Sequence, residues 1–167
     1  GSRFYMLLLS SLYGVCLMLS SDSFLTLFLG LELMSIPVYT LVVVGLRRPQ
    51  SSEAALKYLV LSGTATAMFL MGVSMIYGAS GTMALSAFAL ALGSGTPAAS
   101  AGVVLIIAAF FLKAAVVPFH AWAPDAYEAA SVPVTAYMAT IVKAGALLAV
   151  VRLFAEAPLS QAMVGLI

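Results

Sequence analysis

The sequence predicts an all-α, polytopic membrane helix bundle of about five transmembrane helices, one of them discontinuous and broken near Pro118. Three observations point there. Of 167 residues, 63% are hydrophobic and 8% charged, against about 45–50% and about 25% in a soluble domain. Apolar runs close to the ~20 residues needed to cross a ~30 Å hydrocarbon layer recur along the chain. Between them lie the Ser, Gly, Pro and Arg residues that end helices.

The first helix runs from Phe4 to Ser20 and ends at Ser20-Ser21-Asp22-Ser23. The second, Phe24 to Leu46, is stopped by Arg47-Arg48-Pro49. The third runs from about Ala54 to Tyr77 and closes on GASGT, residues 78–82. Ser52, just before Glu53, offers a hydroxyl to cap its free N–H groups. Residues 78–101 carry no charge and form a Gly/Ala/Ser-rich connection, in which MALSAFALAL (83–92) is expected as a short interfacial helix. The fourth helix starts near Gly102 and reaches Val117. The fifth starts at Pro133, a good first-turn residue, and runs to about Phe154. Residues 3–157 thus form one membrane domain and residues 158–167 begin a further helix. Gly1-Ser2 resembles a cloning remnant, and the chain is expected to be a piece of a longer polytopic protein.

Charge placement orients the bundle. Arg3 and the Arg47-Arg48 pair fall on one side, whereas residues 21–23 and 78–101 carry no Lys or Arg. The excess of basic residues in cytoplasmic loops puts the Arg3 and Arg47-Arg48 side in the cytoplasm; Arg152 lands on the opposite face. A net charge of +1 leaves no nucleic-acid footprint. Cys16 is the chain's only cysteine and stands in an apolar run, so it reads as a small buried hydrophobe rather than a disulfide or metal ligand. There is no phosphate-cradling glycine loop, His/Cys cluster or nucleophile–base set, so no cofactor is expected in this chain.

Three ionisable residues lie where lipid should exclude them. Glu32, Lys113 and Lys143 fall roughly 12–17 Å into their helices, near the middle of the hydrocarbon layer. Each costs about 2.5–3.5 kcal/mol at that depth, about 8–10 kcal/mol together, unless it faces a partner, water or protein. Glu32 and one lysine as a static pair that locks helix packing is one reading. Two lysines cannot both be neutralised by one carboxylate, however, and burial disfavours an ammonium that a nearby carboxylate favours. Moving Glu32 relative to Lys113 would then decide whether the lysine holds its proton, which makes the three groups a candidate proton relay. Pro37 and Pro118 each follow a buried ionisable residue by five positions. A proline inside a helix frees a carbonyl one turn back, which in lipid must be satisfied by protein or water. Lys57 stands four residues after Glu53, a spacing that also suits an ordinary surface pair. His120 suits either a proton shuttle or an interfacial turn. Asp125 and Glu128 are expected where the broken helix returns toward the cytoplasm, and Trp122 and Tyr127 in an interfacial belt.

The blocks LELMSIPVYTLV (31–42), EAALKYLVLSGTATAMFLMGVSMIYGASGT (53–82), FFLKAAVVPFHAWAPDAYEAASVPVTAY (110–137) and ATIVKAG (139–145) resemble the subunit N family of respiratory complex I. That family of NADH-quinone oxidoreductase subunits is the bacterial counterpart of mitochondrial NADH dehydrogenase subunit 2 and part of the antiporter-like superfamily. The resemblance covers nearly the whole chain and implies a much longer protein of about fourteen helices with two inverted five-helix repeats. This chain resembles the first repeat, with its fourth helix as the discontinuous one. The resemblance matches Glu32 to the family's acidic residue, Lys113 to the lysine at the helix break, Lys143 to the lysine leading toward the central axis, and Lys57 to a further lysine. It implies a proton-translocating subunit in a bacterial inner membrane, partnered by other membrane subunits, the lipid bilayer and internal water, within a translocase whose redox chemistry lies in other chains. A Mrp-type Na⁺/H⁺ antiporter or membrane-bound hydrogenase subunit of the same superfamily is the alternative.

Overall fold

The computed structural model describes residues 2–44, 49–114 and 143–155, and these are helical apart from short connections. The helices are α1 (Ser2–Leu19), α2 (Phe24–Val44), α3 (Pro49–Ser80), α4 (Ser86–Gly93), α5 (Pro97–Ala114) and α6 (Lys143–Ala155). Three stretches, Ser2–Leu19, Leu59–Ser80 and Pro97–Ala114, are long and apolar enough to cross a membrane, and Phe24–Pro37 is a shorter apolar stretch. The chain is a multi-pass membrane helix bundle.

Helix ends follow local chemistry. The Ser23 hydroxyl accepts a hydrogen bond from the Thr26 amide at 3.1 Å and caps α2. α3 stops where Gly81 takes a left-handed conformation (φ 72°), its amide donating back to the Tyr77 carbonyl at 2.7 Å. Two starts differ from expectation. α3 begins at Pro49 rather than Ala54, leaving Ser52 inside the helix, and α5 begins at Pro97 rather than Gly102. In both cases proline's fixed φ and missing N–H suit the first turn, where no intrahelical partner exists. The break near Pro118, the helix start at Pro133 and residues 158–167 lie outside the described residues.

Two tight helix pairs build the bundle. α1 crosses α2 at Gly14 and Gly30, where a Cβ on Gly14 would lie 2.7 Å from the Gly30 carbonyl oxygen. α3 crosses α5 at Gly72 and Gly102, where a Cβ on Gly72 would lie 2.6 Å from the Gly102 carbonyl oxygen. No side chain fits at either crossing, so the backbones come into direct contact. α2 and α3 meet more sparsely, and α6 lies against α5 and α1. The buried stripe of α1 is Ser11, Gly14, Val15 and Met18, a helical i, i+3, i+4, i+7 pattern. Cys16 falls off that stripe and is exposed on the outer face, which corrects its expected burial.

The 21–24 turn and the 82–85 connection clasp each other at one end of the bundle. The Phe24 amide donates to the Met83 carbonyl at 2.7 Å and the Leu85 amide to the Asp22 carbonyl at 3.0 Å. Arg152 of α6 joins them, donating to the Ser21 carbonyl at 3.1 Å and to Asp22 Oδ1 at 3.2 Å. α4 tucks Ala87, Phe88 and Ala91 inward, with the Phe88 ring edge-on to Phe154 at 5.4 Å.

Candidate functional site

The seam between α2 and α3 carries the polar residues. Glu32 and Ser35 stand one turn apart on α2, while Ser62 and Thr66 stand one turn apart on α3, so each pair shares a helix face. Lys113 reaches the same place from the last turn of α5. Its side chain is 8% exposed, the only buried charged residue among those described.

Lys113 Nζ donates to Ser35 Oγ at 3.2 Å and to Ser62 Oγ. Ser35 Oγ in turn donates to the Leu31 carbonyl at 2.8 Å, which fixes the lone pair it offers to the ammonium. Glu32 is held separately, its Oε1 accepting a 2.7 Å hydrogen bond from Thr66 Oγ1. Among the described residues no direct ion pair joins Glu32 to Lys113. Two hydroxyls hold the cation and a third holds the anion. A cavity of about 250 Å³ adjoins them in the α2–α3 seam, lined by Glu32, Ser35, Ile36, Leu59, Ser62, Gly63 and Thr66. At ~30 Å³ per molecule it has room for several waters, with polar groups to bind them.

Pro37 lies inside α2, as its sequence position implies. Its missing N–H leaves the Leu33 carbonyl without a helical donor. Ser11 of α1 donates to the adjacent carbonyl, Met34 O, at 2.8 Å.

The remaining candidates stand elsewhere. Lys57 lies on α3 just outside its apolar stretch, and at 100° per residue it points roughly 140–180° away from Ser62 and Thr66. The side chain of Glu53, its expected partner, lies outside the description. Lys143 is half-buried at the start of α6. Two residues on, a Cβ at Gly145 would lie 3.1 Å from Val15 Cγ2 and 3.3 Å from Met34 Sδ, so α6 begins at the level of Met34 and Ser35. No hydrogen bond or ion pair joins Lys143 to Glu32 or Lys113 among the described residues. Pro118, His120, Trp122, Asp125, Tyr127 and Glu128 lie outside them.

Sequence reasoning missed Ser35, Ser62 and Thr66. A signal existed: Ser35 shares a face with Glu32 at i+3, and Ser62 and Thr66 share one at i+4.

Comparison with known proteins gives one answer. Residues 21–166 match the family described as NADH:quinone oxidoreductase/Mrp antiporter, TM. NADH-quinone oxidoreductase subunit N of Pelobacter propionicus is 43% identical over 167 residues, all of this chain and 36% of that protein. In the structure of respiratory complex I from Thermus thermophilus with bound aureothin, a chain 38% identical superposes with a TM-score of 0.78, over 90% of this chain and 34% of that one. In the Mrp complex from a Dietzia species a chain 29% identical superposes with a TM-score of 0.81, over 90% of this chain and 29% of that one. The chain spans about a third of the length of the curated relatives it matches.

Proposed function

Because the chain belongs to the NADH:quinone oxidoreductase/Mrp antiporter membrane family, we propose that it is the proton-handling first repeat of a subunit N of respiratory complex I. Its partners would be the other membrane subunits, and the redox chemistry would lie in other chains. The Arg3 and Arg47-Arg48 side faces the cytoplasm in this proposal.

The observation that carries it is the state of Lys113. A buried cation held by two hydroxyls, with its nearest carboxylate tied to a third, is not locked into a static pair. A structural ion pair would have closed the gap, since direct contact in a low-dielectric interior is the arrangement that best offsets desolvation. Here the separation of two charges is adjustable. When Glu32 leaves Thr66 and approaches Lys113, the ammonium form is favoured; when it withdraws, the proton is free to pass into the cavity water. Lys143, starting at the level of Ser35, is the next acceptor in this scheme. Glu32, Lys113 and Lys143 are the relay, Pro37 shapes the α2 turn, and Lys57 and His120 have supporting parts.

Replacing Lys113 in the full-length subunit is the test. Lys113→Ala abolishes or sharply reduces protons pumped per electron pair; an unchanged ratio overturns the proposal. The likeness to the Dietzia Mrp chain supports one other reading, a Na⁺/H⁺ antiporter subunit. Proton movement that depends on Na⁺ and needs no electron donor would favour it.

A further inference from the structure

Phe28, Phe69 and Phe110 come from three helices and meet in one layer. Phe28 stacks on Phe69 with centroids 6.3 Å apart and planes at 11°, and Phe110 stands edge-on to Phe69 at 5.7 Å and 81°. Phe69 and Phe110 are completely buried. Each ring lies about one turn, ~5.4 Å, from a polar residue of its own helix. Phe28 precedes Glu32, Phe69 follows Thr66, and Phe110 precedes Lys113. α3 runs opposite to α2 and α5, so these three offsets all point the same way, toward the end of the bundle that holds Asp22 and Arg152.

The two sides of the layer differ. Toward Asp22 the buried side chains are apolar, among them Leu27, Val73, Ile76, Val103 and Phe24, and none of the buried polar side chains among the described residues intervenes before Ser21. On the other side lies the cavity that holds Glu32 and Thr66, and it opens past Ser35 to Ile36 on α2 and past Ser62 to Leu59 on α3. Water needs two or more polar partners to occupy a buried position, and a phenyl layer backed by aliphatic side chains offers none.

We propose that the Phe28–Phe69–Phe110 layer is the seal that makes the Glu32–Lys113 site one-sided. It admits water and protons from the Arg47-Arg48 end and denies them a direct route to the Asp22 end. This rests on the proton-handling function proposed above, yet it fails separately, because it concerns passive leakage rather than pumping.

The test uses the complete complex in sealed vesicles with the electron donor withheld, and follows decay of an imposed pH gradient. Phe69→Ser with Phe110→Ser speeds the decay severalfold, whereas Phe69→Leu, which keeps the layer apolar, leaves it unchanged. Decay at the wild-type rate in a double variant that still transfers electrons overturns the seal. If Lys113→Ala pumps normally while the double variant leaks, the relay is wrong and the seal stands. Should the double variant not assemble, a Thr66→Cys variant in a Cys16→Ser background gives the second measurement. Its thiol reacts with a small membrane-impermeant methanethiosulfonate faster from the Arg47-Arg48 face than from the Asp22 face; equal or reversed rates overturn the proposal.

Discussion

Thr66→Val removes one hydroxyl and little else. Valine keeps the branched shape, so the loss is confined to the 2.7 Å hydrogen bond that Thr66 donates to Glu32. Such a bond to a charged group is nominally worth about 1.5–3 kcal/mol. Hydrogen bonds between membrane helices average ~0.6 and reach ~1.7 kcal/mol, because the freed group finds another partner. Taking ~1 kcal/mol, the balance between held and released carboxylate shifts about fivefold toward release. The nearest strong donor left is Lys113, whose anchor Ser35 sits one turn along α2 from Glu32. The carboxylate then closes on the ammonium and the two charges hold each other. Full-length subunit in assembled complex, reconstituted in vesicles, gives protons pumped per electron pair. Thr66→Val lowers that ratio severalfold, and Thr66→Ser restores it, because serine returns the hydroxyl but not the methyl. A wild-type ratio for Thr66→Val would refute the reasoning, as would a Thr66→Ser variant equally defective, since volume and not the hydroxyl would then matter.

Three substitutions test stability. Lys113→Met removes a buried cation whose insertion costs about 2.5–3.5 kcal/mol and forfeits two hydroxyl bonds of ~0.6 kcal/mol each. Its thermal denaturation midpoint therefore stays at or above wild type while pumping is lost; a midpoint several degrees lower would mark Lys113 as a structural residue. Gly72→Val pushes a side chain into the Gly102 carbonyl and destabilises by about 1–3 kcal/mol in denaturant titration. Gly63→Ala meets nothing within 4 Å and gains helix propensity, so it is neutral or stabilising.

The helices were legible because lipid forces their length and composition, and Glu32 and Lys113 stood out because charge in that setting is costly. Hydroxyls carry no such penalty. In membrane helices they bond back to the carbonyl one turn earlier, as Ser10 does to Met6, Thr64 to Val60 and Ser80 to Ile76. Thr66 looks identical to Thr64 in sequence, and only the helix facing it makes the difference. The glycine crossings were hidden for a related reason, since each helix contributes a single contact glycine and the match exists only in three dimensions. The helix starts at Pro49 and Pro97 follow the same first-turn preference as that expected at Pro133, and they precede the apolar runs because a polar first turn can lie outside the hydrocarbon layer.

The glycine contacts also decide where the bundle can give. Backbones locked at Gly14–Gly30 and at Gly72–Gly102 make two stiff boards, tied at the Asp22 end by the clasp and by α6, and the sparse α2–α3 contact is the compliant part of the joint between them. Two of the three bonds at the site cross that joint: Thr66 to Glu32, and Lys113 to Ser35. The third, Lys113 to Ser62, lies within one board. Opening the joint by about 1 Å stretches a 2.7 Å bond beyond hydrogen-bonding range. Glu32 would be released and Lys113 would shed Ser35, while the lysine travelled with Ser62. Strain that opens this seam would thereby be read out as the spacing of two charges.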